Sequence, residues 1–355
     1  MARLGDICNK ASSSVAQKDL ENNDGNYPIY GASGFIKNVD FYHQENPYVA
    51  VVKDGAGVGR VMKLPANSSV IGTMQYIIPN KGVNVSYLAY ALEHMNLSKY
   101  YLGAAIPHIY FKDYCNEMLP DHTVAEQEHI ATTLDMAAEM ISLRKQQLAK
   151  LDELVKARFV ELFGDPKYNK SNLVKIGEIG TLTSGGTPSR AKPEYFEGDI
   201  RWYSAGELNS LYLPDSVEHI SETALQQSSA KLFNKGTLMI GMYDTAAFKM
   251  GILTENSSSN QACANLNPKQ GYNIVWLYYL FDIMKPIFLQ ERQGVRQKNL
   301  SLSKIKEFEV PSAPFELQEQ FAVFVEQTDK SKLAIQQSLD KLETLKKSLM
   351  QKYFG

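Results

Sequence analysis

The feature that most limits the fold of this chain is a heptad pattern between Val124 and Phe163. Apolar residues recur there at alternating steps of four and three residues, and neither Gly nor Pro interrupts the run. Such a pattern predicts a long helix that buries one narrow seam against a partner. About 40 residues at roughly 1.5 Å each would make a rod of about 60 Å, which is too long for the core of a small domain. The seam consists of Ile130, Leu134, Ala137, Ile141, Leu148, Leu151, Val155 and Leu162, and only Arg144 and Arg158 break it.

The sequence also supplies a partner, because a second heptad stretch runs from Phe315 to Phe354. A shift of 191 positions lays the first stretch on the second without a gap and pairs Pro120 with Pro311. Heptads that share both a fixed offset and their flanking residues indicate an internal repeat. The second seam consists of Phe321, Val325, Ile335, Leu339, Leu342, Leu349 and Tyr353.

The segments before the two helices repeat as well. Ile176-Gly177-Glu178-Ile179 resembles Leu4-Gly5-Asp6-Ile7, and the strand-like stretch at 237–241 resembles the one at 48–52. We therefore predict an α+β protein with two similar mixed α/β domains, at 1–120 and 165–311. Spacer helices follow at 121–164 and 312–355. Because the second domain joins the end of one helix to the start of the other, we expect an antiparallel two-helix coiled coil with pseudo-twofold symmetry.

Charge, hydrophobic runs and cysteines indicate where in the cell this protein functions. The net charge of −2 argues against a protein coated in positive charge, although it permits local basic patches. No apolar run reaches 18 residues, so we expect no membrane span, and the first residues do not form a signal-peptide pattern. The cysteines Cys8, Cys115 and Cys263 are scattered and predict neutral thiols in a reducing compartment. These features predict a cytoplasmic protein.

Motifs for catalysis are absent from the sequence. The glycine-rich tip at 53–60 lacks the Gly-Lys-Ser or Gly-Lys-Thr of a phosphate-binding loop, and a strand follows it instead of a helix. Asn46-Pro47-Tyr48 lacks the second proline of an amino-methyltransferase loop, and the histidines show no metal-ligand spacing. We expect a chain without catalytic residues, metal or cofactor of its own.

Two motifs and their context carry a family resemblance. Thr183-Ser184-Gly185-Gly186-Thr187-Pro188 follows soon after Ile179, Tyr27-Pro28-Ile29-Tyr30-Gly31 lies in the first domain, and Gln-Glu follows each helix-leading proline. Together with the duplication, these marks resemble the specificity subunit of type I restriction–modification systems over essentially the whole chain.

The resemblance implies a division of labour. Each globular unit would be a target-recognition domain that reads half of a split double-stranded DNA sequence, and the paired helices would act as a ruler. Two methyltransferase subunits would dock on the helices and bind S-adenosylmethionine. Restriction subunits, the motor-nucleases that use ATP and Mg²⁺, would join for cleavage.

DNA contacts would come from polar loops, because Lys and Arg hold phosphates while Arg, Lys, Asn and Gln read bases. The cluster at 292–299 concentrates such donors around one glycine. The DNA-binding candidates are Tyr30, Lys37, Lys53, Arg60, Lys99, Arg190, Lys192, Arg201, Tyr243, Lys249, Arg292, Arg296, Lys298 and Asn299.

Two other functions stay open at this point. The first is a protein-interaction scaffold with two β-rich modules on a coiled-coil spacer, and the second is a stand-alone methyltransferase. Partner docking is expected on apolar residues outside the seams, namely Leu154, Phe159, Val160, Leu317, Phe324 and Leu345.

Overall fold

A computed structural model describes residues 1–101, 107–292 and 299–355 of the chain. These residues form two compact units. Unit 1 comprises Met1–Gln146 together with Ile335–Gly355, and unit 2 comprises Gln147–Ala334. Each long helix is therefore divided between the two units, a division that the heptad pattern does not mark.

Unit 1 contains a four-stranded antiparallel sheet, a three-stranded sheet and a two-stranded pair. The strand orders are β2-β8-β5-β6, β4-β3-β7 and β1-β9. The strands predicted at 48–52 and 61–64 are confirmed as β5 and β6. The elements are β1 (Ala2–Arg3), α1 (Leu4–Ile7), β2 (Cys8–Ser12), β3 (Tyr27–Gly31), β4 (Gly34–Val39), β5 (Tyr48–Val52), β6 (Val61–Leu64), β7 (Ser69–Val70), β8 (Met74–Pro79), α2 (Val85–His94), α3 (Phe111–Tyr114), β9 (Met118–Leu119) and α4 (Val124–Phe163), which continues into unit 2.

Unit 2 has the same sheet topology as unit 1. Its strand orders are β11-β17-β14-β15, β13-β12-β16 and β10-β18. The predicted similarity of the two globular regions is thus matched strand by strand. The elements are β10 (Leu173–Lys175), α5 (Ile176–Ile179), β11 (Gly180–Ser184), β12 (Ile200–Tyr203), β13 (Glu218–Ile220), α6 (Glu222–Gln227), β14 (Leu238–Gly241), β15 (Met250–Ile252), β16 (Ser258–Ser259), β17 (Cys263–Pro268), α7 (Ile274–Phe288), α8 (Leu302–Glu307), β18 (Glu309–Pro311) and α9 (Phe315–Phe354), which continues into unit 1.

The long helix predicted from the first heptad stretch is confirmed. Helices α4 and α9 each have 40 residues, and their bounds differ by the same 191 positions as the sequence repeat. All seam positions of both helices, Arg144 and Arg158 included, are buried or half-buried. The chain leaves α4 through Gly164, whose φ of +73° is the left-handed conformation that commonly ends a helix.

Within each unit, the segments of α4 and α9 run in opposite directions. In unit 1, Ile130 and Leu134 share a core with Met350 and Phe354, and the Lys145 ammonium lies 2.8 Å from Glu343. In unit 2, Asp152 pairs with Lys332 at 2.6 Å, and the Phe159 and Phe321 rings are 5.3 Å apart. Rising residue numbers in α4 therefore face falling numbers in α9.

A repeated glutamine fixes each long helix to the short helix beside it. Gln127 accepts a hydrogen bond from the backbone N–H of Asn84, the N-cap of α2, at 3.0 Å and donates to His122 O. Gln318 accepts from the N–H of Asn273, the N-cap of α7, at 2.8 Å and donates to Ala313 O. An amide that is hydrogen-bonded on both sides, buried at Gln318 and half-buried at Gln127, thus orients the start of each long helix.

The prediction that Phe159 lies on a docking surface is wrong. Phe159 is fully buried in the core of unit 2, where it packs against Trp276 and Phe321. Its position outside the heptad seam faces the globular part of the unit, because this segment of α4 buries two faces. Leu154, Val160 and Leu345 are 49%, 41% and 49% exposed, whereas Leu317 and Phe324 are half-buried.

Asp135 joins three elements of unit 1. Its carboxylate accepts hydrogen bonds from Tyr90 of α2 at 2.8 Å, Ser86 at 3.0 Å and Lys63 of β6 at 3.1 Å. Burial alone would raise the pKa of Asp135, but the hydrogen bonds from Tyr90, Lys63 and Ser86 outweigh that effect and lower the pKa. The ionised carboxylate therefore stabilises the folded unit.

We predict that Asp135→Asn destabilises the chain by about 1 kcal/mol at neutral pH, since charge-assisted hydrogen bonds at a partly exposed site are lost. A lowered folded-state pKa means that this contribution is present above the unfolded pKa of about 3.9 and disappears as pH falls through the folded value. Urea unfolding at pH 7 and near pH 2, below the unfolded value, measures it. Glu153→Gln, on an exposed position of α4, is the control. A difference between wild type and Asp135→Asn that does not shrink at low pH would contradict the prediction.

Candidate nucleic-acid interface

Each four-stranded sheet carries a hairpin loop, and the two loops share a pattern of backbone hydrogen bonds. Tip loop 1 (residues 53–60) joins β5 to β6, and tip loop 2 (residues 242–249) joins β14 to β15. Six backbone hydrogen bonds correspond between the two loops: five are related by an offset of 189 positions throughout, and in the sixth the donor is offset by 191 positions and the acceptor by 189. In and around tip loop 1 they run from Val52 N to Arg60 O, Gly59 N to Val52 O, Arg60 N to Gly57 O, Val58 N to Gly55 O, Lys53 N to Thr73 O and Ile109 N to Lys53 O. In and around tip loop 2 the equivalent bonds, in the same order, run from Gly241 N to Lys249 O, Phe248 N to Gly241 O, Lys249 N to Ala246 O, Ala247 N to Asp244 O, Met242 N to Ala262 O and Leu300 N to Met242 O.

At two equivalent positions both loops have left-handed backbone, and different residues adopt it. Gly55 and Gly59 have φ values of +82° and +84°, and the equivalent Asp244 and Phe248 have +47° and +53°. Left-handed backbone is unfavourable for residues with a Cβ, especially bulky ones. In tip loop 2 the surroundings hold it, because Phe248 is buried and its ring lies 4.7 Å from that of Phe288.

Both loops end on a cation at the same position. Arg60 is exposed, and its guanidinium donates to Ala32 O at 2.7 Å. Lys249 is half-buried, and within the described residues its ammonium has no hydrogen-bond or carboxylate partner. Neither charge is therefore neutralised by an ion pair with a described residue.

Tip loop 1 is surrounded by polar and aromatic side chains. Asp54 is hydrogen-bonded to His108 Nδ1, and Lys53 lies 3.7 Å from the same carboxylate. The ring of His108 lies 4.1 Å from that of Tyr110, which is 47% exposed. Sequence reasoning missed the Asp54–His108 pair, since 54 positions separate the two residues and no local motif links them.

The β3–β4 hairpin reaches the same side of unit 1 through the Arg60–Ala32 contact. Tyr30, predicted as a DNA contact, is half-buried in β3. Its ring lies 6.0 Å from that of Phe35, which is 60% exposed. Of the unit 1 candidates, the structure thus brings Tyr30, Lys53 and Arg60 into one region.

Tip loop 2 lies beside the chain segment that begins at Asn299. Asn299 Oδ1 accepts a hydrogen bond from the Asp244 N–H at 3.1 Å. A cavity of about 260 Å³ is lined by Tyr243, Asn299 and Lys304, among others. Arg292 donates to Leu289 O at 2.9 Å, just after α7. Tyr243 is 40% exposed and available for contact.

Lys285 of α7 adds positive charge near tip loop 2. Its pKa is below the ordinary value, first because burial disfavours the charged form and further because Lys249 and Lys156 repel it, against the attraction of Asp282. Sequence analysis missed this residue, because it lies within the apolar run of α7.

The remaining described candidates have structural partners. Lys37 bonds to Leu20 O and Asp24, and Lys99 pairs with Glu117 at 3.1 Å. Arg190 forms a two-pronged ion pair with Glu218 and stacks 4.2 Å over the Phe196 ring. Arg201 binds Asp215 and Glu255, and Lys192 contacts the Tyr195 hydroxyl at 2.8 Å.

The structure therefore separates the unit 2 candidates into two groups. Arg190, Lys192 and Arg201 support the small sheet of β12, β13 and β16, and no hydrogen bond or ion pair between described residues joins them to Tyr243, Lys249, Arg292 or Asn299. Arg296 and Lys298, like the stretch 102–106, lie outside the described residues.

The motif at 183–188 has a structural role. Gly186 accepts a hydrogen bond from Trp202 Nε1 at 3.0 Å, and a Cβ at this position would overlap the carbonyl of Ser229. The two glycines thus let β11 lead into a loop that crosses close to neighbouring backbone.

The described residues show neither a metal site nor a membrane-spanning helix. They contain no group of three or more His, Cys, Asp or Glu side chains arranged to hold a metal ion, and no helix among them has the length and apolarity needed to cross a membrane. Burial raises the pKa of the Cys8 and Cys263 thiols to about 12 each.

Comparisons with known proteins agree with the duplicated fold. A family model described as the type I restriction modification DNA specificity domain matches residues 1–153 and 168–346. The type I restriction enzyme MjaIX specificity subunit of Methanocaldococcus jannaschii is 30% identical over 160 residues, 44% of this chain and 37% of that protein. The EcoR124I/EcoR124II specificity subunit of Escherichia coli is 24% identical over 209 residues, 54% of this chain and 49% of that protein. These matches span less than half the length of the curated relatives.

Solved structures show the same fold over the whole chain. The S subunit of a type I restriction–modification system from M. genitalium aligns with a TM-score of 0.65 at 17% identity, covering 100% of this chain and 95% of that one. A structure concerned with complex assembly and conformational transition of a type I system aligns with a TM-score of 0.57 at 15% identity, covering 99% and 96%. At these identities the likeness supports the fold alone.

We predict that Gly59→Ala destabilises unit 1 by about 2 kcal/mol or more, since the left-handed backbone costs about 1–2 kcal/mol and a Cβ would also lie only 2.6 Å from Ser98 N. Gly55→Ala is the matched control in the same loop, because its φ is similar but a Cβ there meets nothing within 4 Å. Urea unfolding midpoints should rank wild type above Gly55→Ala and Gly55→Ala above Gly59→Ala. Equal midpoints for the two variants would show that the contact with Ser98 is unimportant.

Proposed function

The chain belongs to the family of type I restriction–modification DNA specificity subunits, and we propose that its two units each recognise one half of a split DNA sequence. In this proposal the tip loops and their neighbouring segments are the reading surfaces. The chain acts as a recognition subunit and leaves catalysis to its partners. DNA binding distinguishes the proposed recognition subunit from a protein-interaction scaffold, because a scaffold would not need to bind DNA.

The observation that carries the proposal is the duplicated cation at the end of each tip loop. DNA presents a dense row of phosphates, and an Arg or Lys that carries no carboxylate partner attracts them most strongly. Arg60 and Lys249 meet that condition at equivalent positions, whereas Lys37, Lys99, Arg190 and Arg201 are held by carboxylates. Binding of DNA by the second group would have to break an existing ion pair.

The side chains around the two tip loops differ, and that difference supports two unequal half-sites. Tip loop 1 offers a carboxylate–imidazole pair, Asp54 with His108, and the exposed ring of Tyr110. Tip loop 2 offers Tyr243 and the amide of Asn299, whose Oδ1 bonds Asp244. Carboxylates accept from cytosine N4 and asparagine pairs with adenine in the major groove. The same scaffold thus presents two different donor and acceptor sets.

The long helices are proposed to set the distance between the half-sites. The two helices have the same length, and both ends of one are shifted by 191 positions from those of the other. This agreement supports two equivalent helices. A two-helix coiled coil with pseudo-twofold symmetry would then place two equivalent reading surfaces along one duplex, with an unread spacer of fixed length between the halves.

A groove repeated in both units supports two copies of one partner. In unit 1 the groove has a volume of about 670 Å³ and is lined by Glu93, Glu343 and Lys347. In unit 2 a groove of about 370 Å³ is lined by Asp282, Asp152 and Lys156, which are the residues at the repeat-equivalent positions. Two acidic residues and one lysine therefore occupy equivalent positions in the grooves of the two units.

The acids of each groove are paired with lysines of a long helix. Glu93 lies 3.0 Å from Lys346, and Glu343 lies 2.8 Å from Lys145. In unit 2, Lys156 lies 3.0 Å from Asp282. We propose that these two grooves, together with exposed Leu154 and Leu345, dock two methyltransferase subunits. S-adenosylmethionine would bind those subunits, and ATP and Mg²⁺ would bind the restriction subunits that join them.

We predict that Arg60→Ala and Lys249→Ala each weaken DNA binding by about 1–3 kcal/mol if the residue reads a base, and relax only one half of the selected sequence. A residue that contacts phosphate alone should instead weaken all sequences evenly and reduce the salt slope by about one. Fluorescence anisotropy with the methyltransferase present, and selection from random DNA, measure both quantities. Lys99→Ala, whose ammonium is paired with the Glu117 carboxylate, is the control. Unchanged affinity in both tip-loop variants would remove these loops from the interface.

For the grooves, we predict that Glu93→Arg and Asp282→Arg each remove one of two bound methyltransferase subunits, because the new charge repels the neighbouring lysine and alters the groove. Light scattering of the purified complexes gives the stoichiometry. Glu139→Arg, exposed on α4 and outside both grooves, should leave it unchanged. If a variant that carries both Glu93→Arg and Asp282→Arg still binds two methyltransferase subunits, the grooves are ruled out as docking sites.

A further inference from the structure

The β3–β4 hairpin of unit 1 presents a phenylalanine at its tip. Gly31 pairs with Gly34 across the hairpin, so the turn is short, and Phe35 follows it directly. Phe35 is 60% exposed, more than any other phenylalanine of the described residues. Among those residues it belongs to none of the hydrophobic clusters of unit 1. The fold therefore holds a large apolar ring in solvent on a short, hydrogen-bonded support.

Strand pairing determines where the Phe35 ring lies. Phe35 is opposite Tyr30, and the centroids of the two rings are 6.0 Å apart. A bulge beyond this pair leaves Ile36 without a partner in β3, and Ile36 packs instead against the small core that contains Ile29. Bulges commonly re-aim side chains in this way. Tyr30 packs on the core around Tyr48, so the inner ring of the pair supports the exposed one.

A positive charge without a carboxylate partner lies beside the same tip. The Arg60 guanidinium donates to Ala32 O at 2.7 Å, in the turn that precedes Phe35. This hydrogen bond joins tip loop 1 to the hairpin, so the cation and the exposed ring are held next to each other. A duplex whose phosphate is bound by Arg60 therefore has the Phe35 ring beside it.

Unit 2 joins the equivalent strands differently. Residues 204–217 connect β12 to β13, and this longer loop folds over β15, where the N–H of Leu213 donates to Ile252 O at 3.0 Å. Within the described parts of the chain, the Lys249 ammonium makes no hydrogen bond to this loop, in contrast to Arg60 and the hairpin turn. The paired ring and cation are thus a feature of unit 1.

DNA-bending proteins insert apolar side chains between base pairs, which unstacks one step and kinks the duplex. We propose that Phe35 is such a wedge: Arg60 holds a phosphate while the Phe35 ring enters a base step of the half-site that unit 1 reads. This role of Phe35 rests on the proposed function, and it adds selection by the deformability of DNA to selection by hydrogen bonds. The steps TA and CA/TG, which kink most easily, fit the wedge best.

Permanganate footprinting tests the wedge, because permanganate oxidises thymines that have lost their stacking and each of these steps contains a thymine. The probe is the duplex recovered by selection from random DNA, saturated with the full chain and its methyltransferase. Thymines at one step should react at least about fivefold more in the wild-type complex than in the Phe35→Ala complex. Reactivity that the methyltransferase alone causes is the same in both complexes and cancels.

Two further variants complete the experiment. Phe35→Leu keeps an apolar wedge, so its reactivity should lie between those of Phe35→Ala and wild type. Tyr168→Ala removes an 82% exposed ring from the segment after α4 and should match wild type. Because both Phe35 and Tyr168 lie outside the cores, all three variants should keep the wild-type melting temperature.

Equal reactivity of every thymine in the wild-type and Phe35→Ala complexes would overturn the wedge and leave DNA recognition by unit 1 intact. A loss of reactivity in Tyr168→Ala as large as that in Phe35→Ala would overturn it as well. Failure of the wild-type complex to select any sequence would instead contradict the proposed function itself, so the two failures are distinguishable.

Discussion

The core of each unit depends on helix segments that are distant in sequence. In unit 1, Met350 and Phe354 of α9 pack with Tyr87 and Leu88 of α2. In unit 2, Val155 and Phe159 of α4 pack with the corresponding Trp276 and Leu277. Segments of the long helices thus form part of the core of each globular unit. Removing either helix would expose apolar surface in both units.

Much of this architecture follows from the sequence, because periodic burial leaves a periodic pattern. The seam residues Ile130 and Leu134 are buried as the heptads predict, and both helices have the predicted extent. The sequence could not show that Phe159 faces a globular core, since a heptad reports one contact stripe and this segment has two. The bases read by a loop leave no periodic signal in a sequence, so the heptads do not predict them.

Side-chain partners were harder to predict than the fold. Arg190 and Glu218 are 28 positions apart, and Lys99 and Glu117 are 18 apart, so only the folded chain reveals that these charges are paired. The equivalence of Arg60 and Lys249 is hidden for another reason. Tip loop 1 uses glycines where tip loop 2 has Asp244 and Phe248, so backbone hydrogen bonds reveal a correspondence that residue identities obscure.

The division of the chain into units also affects the order in which it folds during synthesis. Unit 2 is continuous from Gln147 to Ala334, whereas unit 1 needs residues 335–355 to complete its core. On the ribosome, all residues of unit 2 are synthesised before unit 1 is complete, although residues 1–146 of unit 1 are translated first. Until α9 is synthesised, the core formed by the first 146 residues is incomplete, because Tyr87 and Leu88 lack their contacts with α9. Chaperones that cover exposed apolar surface have their longest opportunity to act on that segment.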